Sequence, residues 1–181
     1  MRSATTAYTR PLDIRHGHVD LGHGAGGRSM NQLIADLFVR AFDNPALARG
    51  DDGAVLPAPA EGERLVMATD GHVVSPLFFP GGNIGSLAVH GTVNDLAVMG
   101  ARPLWLAAGF ILEEGFALAD LARIVDAMAA AARTAGVQVV TGDTKVVEGK
   151  GGIYINTSGV GFLPEGDFTV SSSFCREGDV I

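Results

Sequence analysis

The sequence predicts an α+β fold, a mixed sheet with helices on one face. Three observations carry the prediction. Apolar residues make up 47% of the 181 residues, enough for one domain with a sizeable core. Runs with a period of two residues mark about six strands, and runs with a helical period mark about three helices. The strands fall in pairs between helices instead of in a strict strand–helix repeat, which is the pattern of an α+β or open α/β layer.

Residues 1–17 carry no period and read as a flexible arm. His18–Leu21 is a short strand candidate before the turn GHGAGG. Ser29 then opens a helix whose Met30, Leu33, Ile34, Leu37, Phe38 and Ala41 share one face. Asp51–Leu56 and Arg64–Val74 read as strands of a hairpin, joined through the turn residues PAPAEGE. SPLFFPGGNIG reads as a loop, and Ser86 as the cap of a helix from Leu87 to about Met99, closed by Gly100. Pro103–Glu113 is a strand rich in Leu, Trp and Phe. Leu118–Thr134 is the clearest helix, with Leu121, Ile124, Val125, Met128 and Ala132 on one face and Gly136 past its end. Val137–Thr141 is a buried strand and Ile153–Phe162 an alternating one. The terminal GDVI resembles the start of another strand, so a longer protein is expected to continue past it.

Composition narrows the function. A net charge of −7 argues against a surface that coats nucleic acid, which needs clustered Lys and Arg. It leaves a nucleotide open, because Mg2+ can sit between carboxylates and phosphates. The single cysteine, Cys175, forms no internal disulfide, which makes the cytosol the default compartment. The N-terminus has no apolar core of a signal peptide, and the apolar stretch Leu104–Leu112 is too short to span a bilayer.

Gly22, Gly24 and Gly27 match GxGxxG, and the same segment approaches a Walker A loop except that Arg28 stands where that loop has lysine. The dinucleotide reading needs an acid at the end of a second strand, and Asp43 instead follows the helix directly. Such a glycine-rich turn either offers free N–H groups to a phosphate or simply reverses the chain. The acidic residues are more specific. Asp51 and Asp52 sit in GDDGAVL, Asp70 at the end of LVMATD, Asp95 beside Asn94 in GTVNDLAVMGA, and Asp143 in VVTGDTKVV. Carboxylates beside such apolar segments are costly unless paired or bound to a cation. Oxygen ligands converging from several segments suit a magnesium ion that also touches substrate phosphates. Lys145 lies two residues after Asp143, on the same face of an extended segment, where its ammonium either meets the polyphosphate or is solvated.

Taken in order, GHGAGGRSM, ATDGHVVSPLFFPGGNIG, GTVNDLAVMGA, GFILEEG and TGDTKVV resemble the HypE family of hydrogenase maturation factors, within the PurM-like ATP-binding superfamily. GDD, Asp70, NDLAVMG and GDT are the general superfamily marks, whereas LFFPGGNIG and GFILEEG point to HypE. The resemblance runs from about Val19 to Ile181 and corresponds to the family's N-terminal domain. It implies a PurM-like ATP-binding and dimerisation domain over 18–165, pairing with a second copy through its sheet, followed by a linker and the start of a further domain at 166–181. It implies ATP-dependent dehydration of a carbamoyl group on a C-terminal cysteine thiol to a thiocyanate, the source of the cyanide ligand of [NiFe] hydrogenase. It implies magnesium on Asp51 or Asp52, Asp70, Asp95 and Asp143, and a nucleotide against Gly24, Gly26, Gly27, Asp52, Asp70, Asn94, Asp95, Thr141, Gly142, Asp143 and Lys145. Lys145 and Asp143 are the residues expected nearest the chemistry. Expected partners are a second copy, the carbamoyltransferase HypF and the HypC–HypD scaffold, in the cytoplasm, with neither nucleic acid nor membrane. The family's Pro-Arg-Ile-Cys tail has no counterpart here, and Cys175 falls in the expected linker. Thiamine-monophosphate kinase and selenophosphate synthetase share the acidic set and stand as alternatives, as does a non-catalytic dimerisation module.

Overall fold

The computed structural model describes residues 11–166, 170–171 and 174–180. Its main sheet contains β1 (Arg64–His72), β4 (Arg102–Glu113), β5 (Gln138–Val147) and β6 (Ile153–Leu163) in the order β1-β6-β4-β5. The intervening β2 (Phe78–Phe79) and β3 (Gly82–Asn83) form a small separate hairpin. β4 and β5 are parallel, and β6 runs antiparallel to both β1 and β4. A parallel pair needs a long crossover. Here the chain crosses through a helix at Leu118–Ala135.

Three helical segments cover one face of this sheet. The first, α1, spans residues 28–42, with a π-helical stretch at Ile34–Val39 between α-helical ends. The second, α2, is Ile84–Val98, and the third, α3, is the crossover Leu118–Ala135. Their apolar stripes meet the inward residues of the strands. Phe38 stacks on Phe110 at 4.7 Å, and Ile124, Met128, Leu106 and Ile155 are all buried. Gly85 allows α2 to lie on α3, because a Cβ there would collide with the Ile124 carbonyl.

Several local expectations are corrected. Asp51–Leu56 forms no strand and pairs with nothing. Pro57 and Pro59 follow it, and proline both lacks the ladder donor and restricts the residue before it. β1 instead pairs with β6, from Arg64↔Leu163 to His72↔Ile155. His18–Leu21 yields only a bridge from His18 to Ala117, followed by a 3-10 turn at Leu21–Gly24. α1 begins at Arg28 after Gly27, and Ser29 makes no cap. α2 is capped by Asn83, whose side chain accepts from Gly85 N at 2.8 Å and Ser86 N at 3.2 Å. Ser86 answers by accepting from Asn83 N at 3.0 Å, so it is the third residue of a capping box and not its first. SPLFFPGGNIG contains the β2–β3 hairpin, with Gly81 at φ +93° in its turn and the Arg123 guanidinium 3.9 Å above the Phe78 ring. β5 continues to Val147, so Asp143 lies within a strand instead of after one. Within the expected arm, Leu12 packs against the core and Gly17 O accepts from Leu118 N at 3.0 Å.

Candidate active site

Strand register sorts the expected acids onto the two faces of the sheet. Asp70 pairs with Thr157, whose hydroxyl is buried against α2 and donates to Ala88 O at 3.0 Å. Asp70 therefore points to the helix layer, where its carboxylate lies beside Gly91. Asp143 pairs with Gly109, one residue out of phase, and faces the side without helices. Lys145 shares that side and holds Asp143 at 3.1–3.2 Å. The Asp143 carboxylate also accepts from Thr144 N at 2.8 Å.

On the helix side the polar groups form a chain. His72 Nδ1 lies 3.8 Å from Asp70 Oδ2, and its Nε2 is 3.1 Å from Thr157 Oγ1. Thr157 Oγ1 is in turn 2.6 Å from Thr92 Oγ1 on α2. Burial pushes the His72 imidazole below the usual histidine range, and the charges of Asp70 and then Asp95 oppose that shift. Asp70 thus lies beside a histidine between β1 and α2, and the charge of Asp95 on α2 also acts on it. His72 was absent from the expected site, although its spacing of two from Asp70 is the same signal that joined Asp143 to Lys145.

The glycine turn packs against the strand that carries the second pair. Gly24 sits so close to β5 that a Cβ would strike Val146 N, next to Lys145. Gly26 and Gly27 have nothing within 4 Å of where a Cβ would stand, and the Gly26 N–H donates to Met30 Sδ at 3.2 Å. The turn is pinned by Asp20, which accepts from His23 N at 3.2 Å while His23 Nδ1 accepts from Asp20 N at 3.1 Å. Thr141, Gly142, Asp143 and Thr144 also line a cavity of about 100 Å³ roofed by Ile34, Phe38 and Phe42 of α1.

Other expected residues stay apart. Asp51 and Asp52 lie on an exposed irregular loop, and Asn94 is exposed on α2. Among the described residues no three His, Cys, Asp or Glu side chains converge into a metal cage. Asp70 and Asp143 lie on opposite faces of the sheet and Asp51 and Asp52 on a separate loop, so these carboxylates do not form one magnesium site in this arrangement. Also unforeseen was Glu113, in GFILEEG. Its carboxylate accepts from Lys150 N at 2.7 Å, Gly152 N at 2.9 Å and the Tyr154 hydroxyl at 3.1 Å. Those donors hold its pKa below the ordinary glutamate value. Cys175 is exposed, and among the described residues no helix is long and apolar enough to cross a membrane.

Comparison with known proteins places this geometry in context. Residues 50–163 match the family described as AIR synthase related protein, N-terminal domain. The carbamoyl dehydratase HypE of Cupriavidus necator is 64% identical over 176 residues, covering 96% of this chain and 50% of that protein. A HypE crystal structure in complex with ATP has 52% identity and a TM-score of 0.76, covering 79% of this chain and 42% of that one. A HypE–HypF complex has 53% identity and a TM-score of 0.55, covering 74% and 43% respectively. The chain spans about half the length of the curated relatives it matches.

Proposed function

The chain belongs to the AIR synthase related family, and from that premise we propose that it is the ATP-binding half of a HypE-type carbamoyl dehydratase. The proposed reaction is ATP-dependent dehydration of a carbamoyl group carried on a cysteine thiol, giving a thiocyanate whose cyanide is destined for the iron of [NiFe] hydrogenase. The observation that carries the reading is the glycine turn Gly24–Gly27, seated against the strand that bears Asp143 and Lys145, in a chain 64% identical to a carbamoyl dehydratase. That identity favours this reading over a thiamine-monophosphate kinase or selenophosphate synthetase.

The chemistry required is modest in kind and demanding in placement. A carboxamide oxygen leaves poorly until it is phosphorylated, so the protein must bring the terminal phosphate of ATP to that oxygen and stabilise the charge that develops. The Gly27 N–H offers a donor to a phosphate oxygen, the Gly26 N–H being taken by Met30 Sδ at 3.2 Å, and Lys145 on β5 offers a point charge. The apolar cavity beneath α1 offers a contact surface for the base. Of the acids that would hold magnesium, Asp70 and Asp95 stand toward the helices and Asp143 stands beside Lys145 on the opposite face, so they would serve separate ions, with Asp52 or Asp51 on their loop the remaining candidates. Magnesium bound there would neutralise phosphate charge. His72, anchored to Thr157, stands beside Asp70.

Pairing with a second copy through the face without helices, docking with HypF, as in the HypE–HypF complex, and with HypC–HypD, and a cytoplasmic location complete the proposal. So does its extent, with the ATP-binding unit at 18–165. Titration of ATP into the chain by calorimetry, with and without magnesium, tests it alongside light scattering. Magnesium-dependent binding by a dimer is expected, and the Asp70→Asn/Asp143→Asn double variant should lose it. Unchanged binding in that variant would overturn the site assignment.

A further inference from the structure

Buried hydroxyls between β6 and α2 decide which nitrogen of His72 carries hydrogen. Thr157 Oγ1 has one hydrogen to give and three polar neighbours: Ala88 O at 3.0 Å, Thr92 Oγ1 at 2.6 Å and His72 Nε2 at 3.1 Å. The Ala88 carbonyl can only accept, so it takes that hydrogen. Two lone pairs remain on Thr157 Oγ1, and they accept from the Thr92 hydroxyl and from His72 Nε2. Nε2 is therefore the N–H of the ring. Nδ1 stands 3.8 Å from Asp70 Oδ2, too far for an N–H···O bond, and burial disfavours a second proton on the imidazole. Nδ1 is left as a lone pair.

That lone pair has no partner in the chain. The His72 side chain is only 5% exposed, and its nearest charged neighbour, Asp70 Oδ2, is itself an acceptor. Among the described residues every buried side-chain nitrogen or oxygen has a hydrogen-bond partner, so Nδ1, which has none, is the part of the ring that solvent reaches. Gly91 on α2 keeps that part open. A Cβ there would stand 2.8 Å from His72 Cε1, 3.3 Å from Asp70 Oδ2 and 3.7 Å from Nδ1. Asp95 lies one helical turn beyond Gly91, and its charge acts on the ring. Among the described residues neither Asp70 nor Asp95 pairs with a lysine or an arginine. Two acceptors, with a second carboxylate one turn away, thus border a gap that no donor of the protein enters.

We propose that His72 Nδ1 accepts a hydrogen bond from water carried by a divalent cation at Asp70, which makes His72 a positioning residue for that ion. Magnesium prefers oxygen ligands and keeps several waters, whereas a direct imidazole ligand suits zinc and its neighbours. Contact through water therefore fits a nitrogen beside a carboxylate. It also fits a place where, among the described residues, no three metal-ligating side chains converge. A cation polarises the water it holds and makes it a better donor, which an imidazole lone pair can take. The Thr92–Thr157 hydroxyl pair acts at the other end of the ring, by fixing the hydrogen on Nε2. The inference rests on the reading of Asp70 as a magnesium residue. It adds a residue that holds the ion without touching it.

The probe is hexaamminecobalt(III), whose ammines do not exchange, so that it binds only through N–H donors. Nitrogen-15 spectra of the histidine-labelled chain should show His72 with hydrogen on Nε2 and none on Nδ1, and the opposite tautomer overturns the proposal. Adding the probe should shift the Nδ1 signal saturably, and Mg2+ should compete. Both readings come from the parent chain and hold whether or not a variant folds. His72→Gln keeps an amide donor near the place of Nε2 and has no acceptor near that of Nδ1, whereas His72→Asn does the reverse. The glutamine variant should bind the probe and Mg2+ about tenfold more weakly with little change in unfolding. The asparagine variant should be less stable yet bind close to the parent. The reverse order, or equal binding in all three, overturns the proposal. So does Mg2+ binding with which the probe does not compete, because direct ligands alone then hold the ion. If Asp70→Asn abolishes Mg2+ binding and His72→Gln does not weaken it, only this inference falls. If the parent binds neither Mg2+ nor the probe, the magnesium reading of Asp70 falls and takes this inference with it.

Discussion

Toward the helices, Leu106, Ala108, Phe110 and Leu112 of β4 and Ile153, Ile155 and Thr157 of β6 are all buried. One residue out of phase, the opposite face leaves Leu65, Met67, Ile111 and Tyr154 at 41–67% exposure. The first face is a finished core, with close contacts through Gly85 and Gly159 and a hydroxyl network at Thr92 and Thr157 in which each buried polar atom has a partner. The second is divided along the strands. Leu65, Met67, Trp105 and Val160 gather at one end, and Asn156, Asp143, Lys145 and Glu113 at the other. One face stabilises the chain, and the other leaves apolar side chains exposed beside a group of polar ones.

The contrast can be broken at its strongest point. Leu121→Ala, fully buried on α3, should cost about 2–5 kcal/mol in denaturant unfolding, by lost burial and the cavity left behind. A loss under about 1 kcal/mol would mean that this face is less tightly packed than its burial indicates.

A smaller effect belongs to the polar end of the open face. The Glu113 carboxylate is held below the ordinary value of 4.5 by the Lys150 and Gly152 amides and the Tyr154 hydroxyl. Its folded pKa is depressed, so its contribution to stability is present above 4.5 and lost as pH falls through the folded value. Glu113→Gln should therefore be less stable than the parent at neutral pH, and the gap should close in acid. A gap independent of pH would show that the carboxylate charge is not what holds the turn.

The smallest change is expected at Met67. Met67→Ala should leave unfolding free energy within about 0.5 kcal/mol of the parent, because an exposed side chain contributes little to the fold of its own chain. Its effect should fall on self-association, seen as a lower mass in dilution by light scattering. An unchanged mass would remove the apolar end of the face from the proposed dimer contact.

Periodicity alone determined the long elements of this protein. The stripe Leu121, Ile124, Val125 and Met128 places the whole of α3, and the alternation from Ile153 to Phe162 places β6 to within a residue. These segments form many contacts of one kind, and their pattern is local. The paired spacing of Asp143 and Lys145 was equally local, and the two side chains share one face of β5 as that spacing implies. What tertiary structure decided was which segments pair. The turn PAPAEGE suggested a hairpin neighbour for β1, yet β1 pairs with β6, nearly ninety residues further along the chain. It also decided which acids meet. Asp70 and Asp143 have similar apolar surroundings in sequence, but a one-residue difference in register turns them to opposite faces. His72 and Thr157 gain their meaning from strands brought together across the sheet. No spacing along the chain records that adjacency, because it is fixed by long-range hydrogen-bond register and by which face the helices cover.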